Sequence, residues 1–459
     1  MIARRYPPRA VLAAAVASAL LAGCAVGDNY QRPALDLPAQ FRTPGASGES
    51  IGLADWRRVF ADPTLHGRIE QALKSNLDLA VAEARVREAQ AAVVIARSGG
   101  LPSVAAGLQT SPTARLPGDT LTSSFLAAGF LSWEIDLWGR VRRGTEAARA
   151  DLAARDAARD GARVSIVAQT ASRHFELAAL RETRRATEAS VNLQRESLRL
   201  MRRRNQAGIV SAAEVRQAEG QLAGTEARLP DIARQIAATE NALSLLLAQP
   251  PAPVAEGGGE LPLPAALPVG LPSALLDRRP DLRQAEQQLI AANARVGEAK
   301  AQLLPALSIT GAFGRISTEL GELVGSGSAS LASLGPNVTQ TLYAGGALRA
   351  NRDAAIARLD AALIGYRATA LNALREVADA VEAYDRAGEQ LARQSERVTA
   401  QREALRLADK RFAAGVVSFI EVLDAQRQLL AAETDFVNTR LARQLALVQV
   451  YRALGGGWT

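Results

Sequence analysis

The residues with the most chemistry to offer lie in two short, nearly identical stretches. Gly208-Ile209-Val210-Ser211 is followed by Glu214, and Gly415-Val416-Val417-Ser418 by Glu421. In a Ser-x-x-Glu spacing the hydroxyl accepts from the amide three residues on, and the glutamate reaches back to the serine amide. Both stretches therefore predict a capping box that opens a helix. The glycine just ahead supplies the left-handed residue with which a preceding helix stops. Each stretch thus predicts a tight helix–turn–helix tip. Asp424 follows Glu421 at i,i+3 on the same helix face, and Arg427 follows Asp424 at the same interval. The first stretch has Gln217 in place of Asp424. Acids so placed suit helix capping, ion pairing or a solvated helix face. Catalysis needs more: the sequence offers no nucleophile–base set, no metal-ligand cluster and no phosphate loop. Gly257-Gly258-Gly259 lacks the strand and helix that a phosphate loop requires. His66 and His174, the two histidines, stand outside any His/Glu motif and read as surface or packing residues. Neither an enzyme activity nor a cofactor is expected.

Cys24 is the one cysteine, which excludes an internal disulfide, a redox pair and a cysteine metal cluster. Ahead of it, residues 1–9 carry Arg4, Arg5 and Arg9, and residues 10–23 are an unbroken run of apolar and small residues. A run this short does not span a bilayer as a helix, which takes about 20 residues, so 1–23 reads as a secretory signal peptide. Its end, Leu21-Ala22-Gly23-Cys24, resembles the lipobox of bacterial lipoproteins. That resemblance implies acylation of Cys24, and Ala25 after it implies sorting to the outer membrane. The formal charge of +7 falls to about +4 once the leader's three arginines are removed. The remaining cations are interspersed with acids and form no basic block with aromatics between, so no nucleic-acid partner is expected. Apolar residues make up 48% but aromatics only 4%, the balance being Ala, Leu and Val, which suits long, closely packed helices.

The elements that must position the tips emerge from an internal duplication. Residues 196–226 and 403–433 align without gaps and share G-[IV]-V-S-x-x-E-V, the LRL before it and the QL after it. Asp78-Leu79, Glu83 and Leu101-Pro102 match Asp281-Leu282, Glu286 and Leu304-Pro305, and Asp136-Leu137-Trp138-Gly139 lies opposite Thr341-Leu342-Tyr343-Ala344. A period of about 200 residues is a duplicated domain rather than a solenoid. The expected layout is a lipid-anchored segment at 24–61, a first repeat at 62–249, a Pro/Gly-rich linker at 250–272, a second repeat at 273–455 and a tail at 456–459. Each repeat reads as a helix, two strands, a very long helix and a further helix. Residues 121–137 alternate Phe125, Ala127, Leu131, Trp133 and Ile135 with Ser124, Ser132, Glu134 and Asp136, the period of a strand. Strands are expected at about 101–112 and 121–137, then 303–314 and 331–343. Trp133 and Trp138, near a strand end, suit either a membrane interface or plain packing. Residues 140–206 and 351–413 contain no proline, and the first would make a helix of about 100 Å.

Four amphipathic strands cannot close a barrel, since bacterial barrels start at about 8 strands and open edges do not persist in lipid. The chain must associate to complete one. In its lipobox, its WEIDLWGR stretch at 133–140, the tip at 414–418 and Leu423-Asp424-Ala425-Gln426-Arg427, the sequence resembles the outer membrane factors, the TolC-like channels, in their lipidated efflux branch. The resemblance covers essentially the whole mature chain. It implies a mainly α fold with membrane β, built as a homotrimer with a 12-stranded β-barrel continued by a 12-helix periplasmic α-barrel. It also implies a passive exit duct of a tripartite efflux pump for drugs or other small molecules. The partners it implies are a periplasmic membrane-fusion adaptor at tips 208–211 and 415–418, an inner-membrane efflux transporter, and outer-membrane lipid through acylated Cys24. It places Asp424, Glu421, Glu214 and Arg427 at the periplasmic gate. The tyrosine and arginine that tie neighbouring tip helices in some members are replaced here by Phe412 and Val417. Two other readings stand beside it: a type I secretion channel, and a lipid-anchored coiled-coil scaffold that does not cross the membrane.

Overall fold

The computed structural model describes residues 25–42, 50–113, 122–255, 263–264 and 267–456. Cys24, the leader and Gly257-Gly258-Gly259 lie outside the described residues. Setting aside short helical turns, the order is α1 (Pro63–Ser75), α2 (Leu77–Ser98), β1 (Ser103–Thr113), β2 (Thr122–Ile135), α3 (Arg140–Gln206), α4 (Ala212–Glu226), α5 (Arg228–Leu246), α6 (Pro280–Ala301), β3 (Ala306–Ser317), β4 (Ala329–Thr339), α7 (Ala347–Ala413) and α8 (Phe419–Ala453). The chain folds as two units. One comprises Met1–Leu35, Ala84–Asp156 and Gln284–Ala368; the other comprises Asp36–Glu83, Ala157–Arg283 and Thr369–Thr459.

Local chemistry sets most of these boundaries. Asp62 accepts from the amides of Thr64 and Leu65 and so opens α1, with Pro63 at the first position, where a missing N–H costs nothing. Asn76 does the same for α2 through Asp78 and Leu79. β1 and β3 begin directly after Pro102 and Pro305. β2 stops at Ile135, because the Asp136 carboxylate turns to accept from the amides of Val141 and Arg142 at the start of α3. The expected extension of β2 to 137 is thus taken up by a cap, and that of β4 to 343 gives way to an exposed segment ending in Gly345-Gly346, both at positive φ. α3 and α7 each run for 67 residues, about 100 Å at 1.5 Å per residue. The first repeat's last helix is broken at Ala227, three residues before Pro230, whereas the second repeat has no proline there and α8 runs unbroken for 35 residues.

In the first unit the four strands form one antiparallel sheet in the order β1-β2-β3-β4. Register sorts its two faces. Val104, Leu131, Gly311 and Leu334 lie in one cross-strand row, and Trp133, Ile309 and Pro336, then Phe313, extend the same face. The opposite face carries Ser132, Thr310 and Gly335, then Ala105, Phe130, Ala312 and Ser333. On the apolar face Val104 is 77% exposed and Phe313 76%. Large apolar side chains held in register and left uncovered are what a lipid-facing sheet presents.

The second unit holds the helix tips and a densely packed region around the ends of the repeats. There Phe60, Phe175 and Tyr451 meet edge to face. The described parts of 250–272 are not a loose tether. Leu267 and Val269 are buried, Ser50 bonds to the Val269 carbonyl, and the Pro264 carbonyl accepts from both Tyr384 and Arg443.

Candidate functional site

The two tips are alike in backbone and unlike in bonding. Gly208 and Gly415 have φ of +73° and +74°, so each long helix ends in the left-handed residue its sequence calls for. At the first tip the capping box forms in full. The Glu214 amide donates to Ser211 Oγ at 3.3 Å, and the Ser211 amide donates to the Glu214 carboxylate at 2.9 Å. At the second tip it does not form, contrary to the Ser-x-x-Glu expectation. Ser418 makes no side-chain cap bond, and Glu421 instead accepts from Arg411 Nη1 at 2.6 Å, across the turn from the end of α7. The reason is competition. A guanidinium offers a charge-assisted bond that the neutral Ser418 amide does not match, and the first tip has Arg204 in the corresponding place, drawn instead over the Phe412 ring at 4.6 Å.

Asp424 and Arg427 pair within α8 at 2.5 Å, and both are more than half exposed. Glu214 is occupied by the cap. The tips share one apolar core of Leu198, Met201, Val215, Leu405, Phe412, Phe419 and Val422, in which Phe412 and Phe419 lie 5.2 Å apart. Phe412 is therefore a packing residue beneath the turn. Ile209 and Val416, at the turns themselves, are 70% and 67% exposed.

The two tryptophans act as fasteners in the first unit. Trp133 Nε1 donates to the Gly100 carbonyl at 3.0 Å, tying β2 to the start of β1, and Trp138 Nε1 donates to the Pro305 carbonyl at 2.8 Å, tying the β2–α3 junction to the start of β3. Arg140 pairs with Glu134 through two bonds of 2.8 and 2.6 Å across the same junction, which stabilises the guanidinium charge. The segment after Cys24 is stitched on here. The Val26 amide donates to the Trp138 carbonyl, while Arg143 donates to the Val26 and Gly27 carbonyls and to Asn29. Arg32 then grips Glu286 bidentately at 2.6 and 2.7 Å. A Cβ on Gly27 would lie 2.7 Å from Gly297 Cα, so this seat accepts only glycine. Sequence reading missed this strap, because nothing in the spacing of Arg32 and Glu286 announces a bond between residues so far apart.

His174 lies in the second unit, 2% exposed. Arg68 Nη1 sits 2.6 Å from its Nδ1 and Asp62 Oδ2 2.9 Å from its Nε2. An arginine can only donate, so Nδ1 accepts and the proton resides on Nε2, which donates to Asp62. The ring is neutral, and burial first, then the Arg68 charge, push its pKa below the ordinary value. Arg68 and Arg181 also hold the Ala255 carbonyl, fixing the start of the 250–272 stretch.

The chain is 31% identical to the probable outer membrane lipoprotein SilC of Salmonella typhimurium, over 96% of this chain and 97% of that one. It is 32% identical to the probable efflux pump outer membrane protein TtgC of Pseudomonas putida, over 98% and 96%. It superposes on the solved outer-membrane channel OprN with a TM-score of 0.87 at 30% identity, covering 95% of this chain and all of that one. The family model described as outer membrane efflux protein matches residues 68–249 and 271–456, one segment in each repeat. The chain belongs to the outer membrane efflux protein family.

Proposed function

We propose that three copies of the chain form the exit duct of a tripartite efflux pump: a 12-stranded barrel in the outer membrane continued by a 12-helix tunnel in the periplasm. The observation that carries this reading is the open four-stranded sheet, whose apolar face and unpaired β1 and β4 edges are stable in lipid only within a closed barrel. Residues 1–23 direct export and Cys24 is acylated, which the lipoprotein name of the relative SilC supports. A membrane-fusion adaptor docks on tips 208–211 and 415–418, where Ile209 and Val416 stand free, and an inner-membrane transporter supplies the energy. The duct itself is passive, and its cargo is drugs or other small molecules, a reading supported by relatives whose names are those of antibiotic and toluene efflux pump outer membrane proteins. Asp424, Glu421 and Arg427 line the gate, with Glu214 held in its cap.

The test is single-channel recording on the purified protein in planar bilayers. A trimer should conduct and a monomer should not; a conducting monomer would overturn the architecture. Asp424→Ala should weaken cation selectivity, because a ring of carboxylates favours cations. Asp435→Ala, on the same helix away from the tip and paired with Arg397, should not. Equal behaviour of the two variants would remove Asp424 from the gate.

A further inference from the structure

We infer that Leu342-Tyr343 is the free copy of the Trp138 fastener, and that it closes on Leu101-Pro102 of a neighbouring copy of this chain.

The argument comes from laying one repeat on the other. Leu101-Pro102 matches Leu304-Pro305, and Trp138 matches Tyr343. Within each hairpin, the carbonyl before the first strand is tied down by the end of the second. Gly100 accepts from Trp133, and Leu303, its counterpart, accepts from the Gln340 side chain at 3.2 Å. The intra-hairpin fastener therefore exists twice. The fastener between repeats exists once: Trp138, after β2, donates to the Pro305 carbonyl ahead of β3. Its equivalent would run from Tyr343, after β4, to the Pro102 carbonyl ahead of β1. Those two positions lie at opposite edges of the four-stranded sheet and do not meet within one chain.

Both halves of the missing fastener are bare. Leu342 is 93% exposed and Tyr343 89%, an unusual state for two large side chains just beyond a strand, and Leu101 is 56% exposed. Residues 101–110 are exposed throughout, as is most of β4, while β2 and β3 between them are partly covered. The chemistry matches as well. Tyrosine, like tryptophan, carries an apolar ring with one terminal donor, so Tyr343 Oη can donate to the Pro102 carbonyl as Trp138 Nε1 does to Pro305. The same mapping gives a strand register. The observed pair Glu134↔Ser308 carries over to Thr339 of one copy opposite Ala105 of the next. This inference rests on the trimer proposed above and adds to it a named contact and register.

Disulfide trapping in outer membranes tests both, in the full-length chain with Cys24 retained. Tyr343→Cys with Leu101→Cys, and separately Thr339→Cys with Ala105→Cys, should give covalent dimers and trimers on mild oxidation, while each single variant stays monomeric on denaturing gels. Intact trimers by native sizing with no cross-link from either pair would overturn the inference and leave the trimer standing. Absence of trimers in the unmodified chain would overturn both. A cross-link confined to one chain, seen as a faster-migrating monomer, would overturn the inference. In the otherwise unmodified protein, Tyr343→Ala should lose most of the detergent-resistant trimer and Tyr343→Trp should keep it. Equal resistance of Tyr343→Ala and the parent would count against the fastener.

Discussion

Glu214 and Glu421 occupy matching positions in the repeat and are bonded differently. Glu214 closes a capping box, so Ser211→Ala should remove about 1 kcal/mol of local helix stability. Amide exchange of residues 212–215 should quicken about fivefold. Ser418→Ala should leave exchange at the second tip close to unchanged, because Ser418 caps nothing there and Glu421 is engaged by Arg411. His174 allows a pH prediction with a defined sign. Its folded pKa lies below the ordinary 6.5, so the unfolded chain takes up a proton that the folded chain refuses. The stability it contributes is present above about 6.5 and is lost progressively as pH falls below that. Urea midpoints between pH 5.5 and 7.5 should fall on the acid side, and His174→Gln should flatten that slope. Asp62, Arg68 and Arg181 face the ring; burial and the two arginine charges disfavour the protonated ring and outweigh Asp62, which favours it.

Among the elements, the helix tips depend on a small core of their own. Phe419 is 2% exposed and packs on Phe412 across the turn, with Arg204 over the Phe412 ring. Phe419→Ala should cost about 3–5 kcal/mol, the usual range for emptying such a site. The loss should be confined to the tips, since every residue of that core lies in 198–222 or 405–429. Hydrogen exchange should show lost protection at 198–226 and 405–430, with β1 to β4 unchanged. Global unfolding by this one change would mean that the tips do not open as a separate unit. The break between α4 and α5 has a simpler origin in Pro230, which removes a helical N–H and has no equivalent in α8.

For the whole molecule, anchoring and spanning are separate tasks. Acyl chains hold a protein to a leaflet and do not carry it across. The sheet does the spanning, and among the described residues no helix is long and apolar enough to do so. Mass spectrometry of the mature protein should therefore find a lipid-modified Cys24 at the N-terminus. Cys24→Ala behind a cleavable signal peptide should still yield a membrane-inserted channel, held in the bilayer by its sheet. A mature N-terminus elsewhere, without lipid, would remove the anchor from the scheme.

The sequence by itself determined the duplicated layout, the ends of α3, the tip glycines and the strand periodicity. All of these follow from local rules, in which a residue's preference is settled by neighbours within a few positions. Arg140 and Gln206 bound the first long helix as the proline-free run from 140 to 206 requires, and α7 starts only four residues ahead of its expected 351. Beyond the local Ser211–Glu214 and Asp424–Arg427 pairs, what bonds with what was decided by tertiary structure. Two identical Ser-x-x-Glu motifs part company because Arg411 reaches Glu421, while the first tip's arginine is drawn onto Phe412. Arg32 finds Glu286, and Asp62 caps a helix with one oxygen and orients His174 with the other. Such bonds depend on which distant side chain the fold brings within reach of a donor or acceptor and on which bond is then the stronger, and that is a property of packing rather than of spacing. The bare Leu342-Tyr343 shows the same division: the repeat names its partner, Leu101-Pro102, and the order of strands in the sheet decides that the partner must come from another chain.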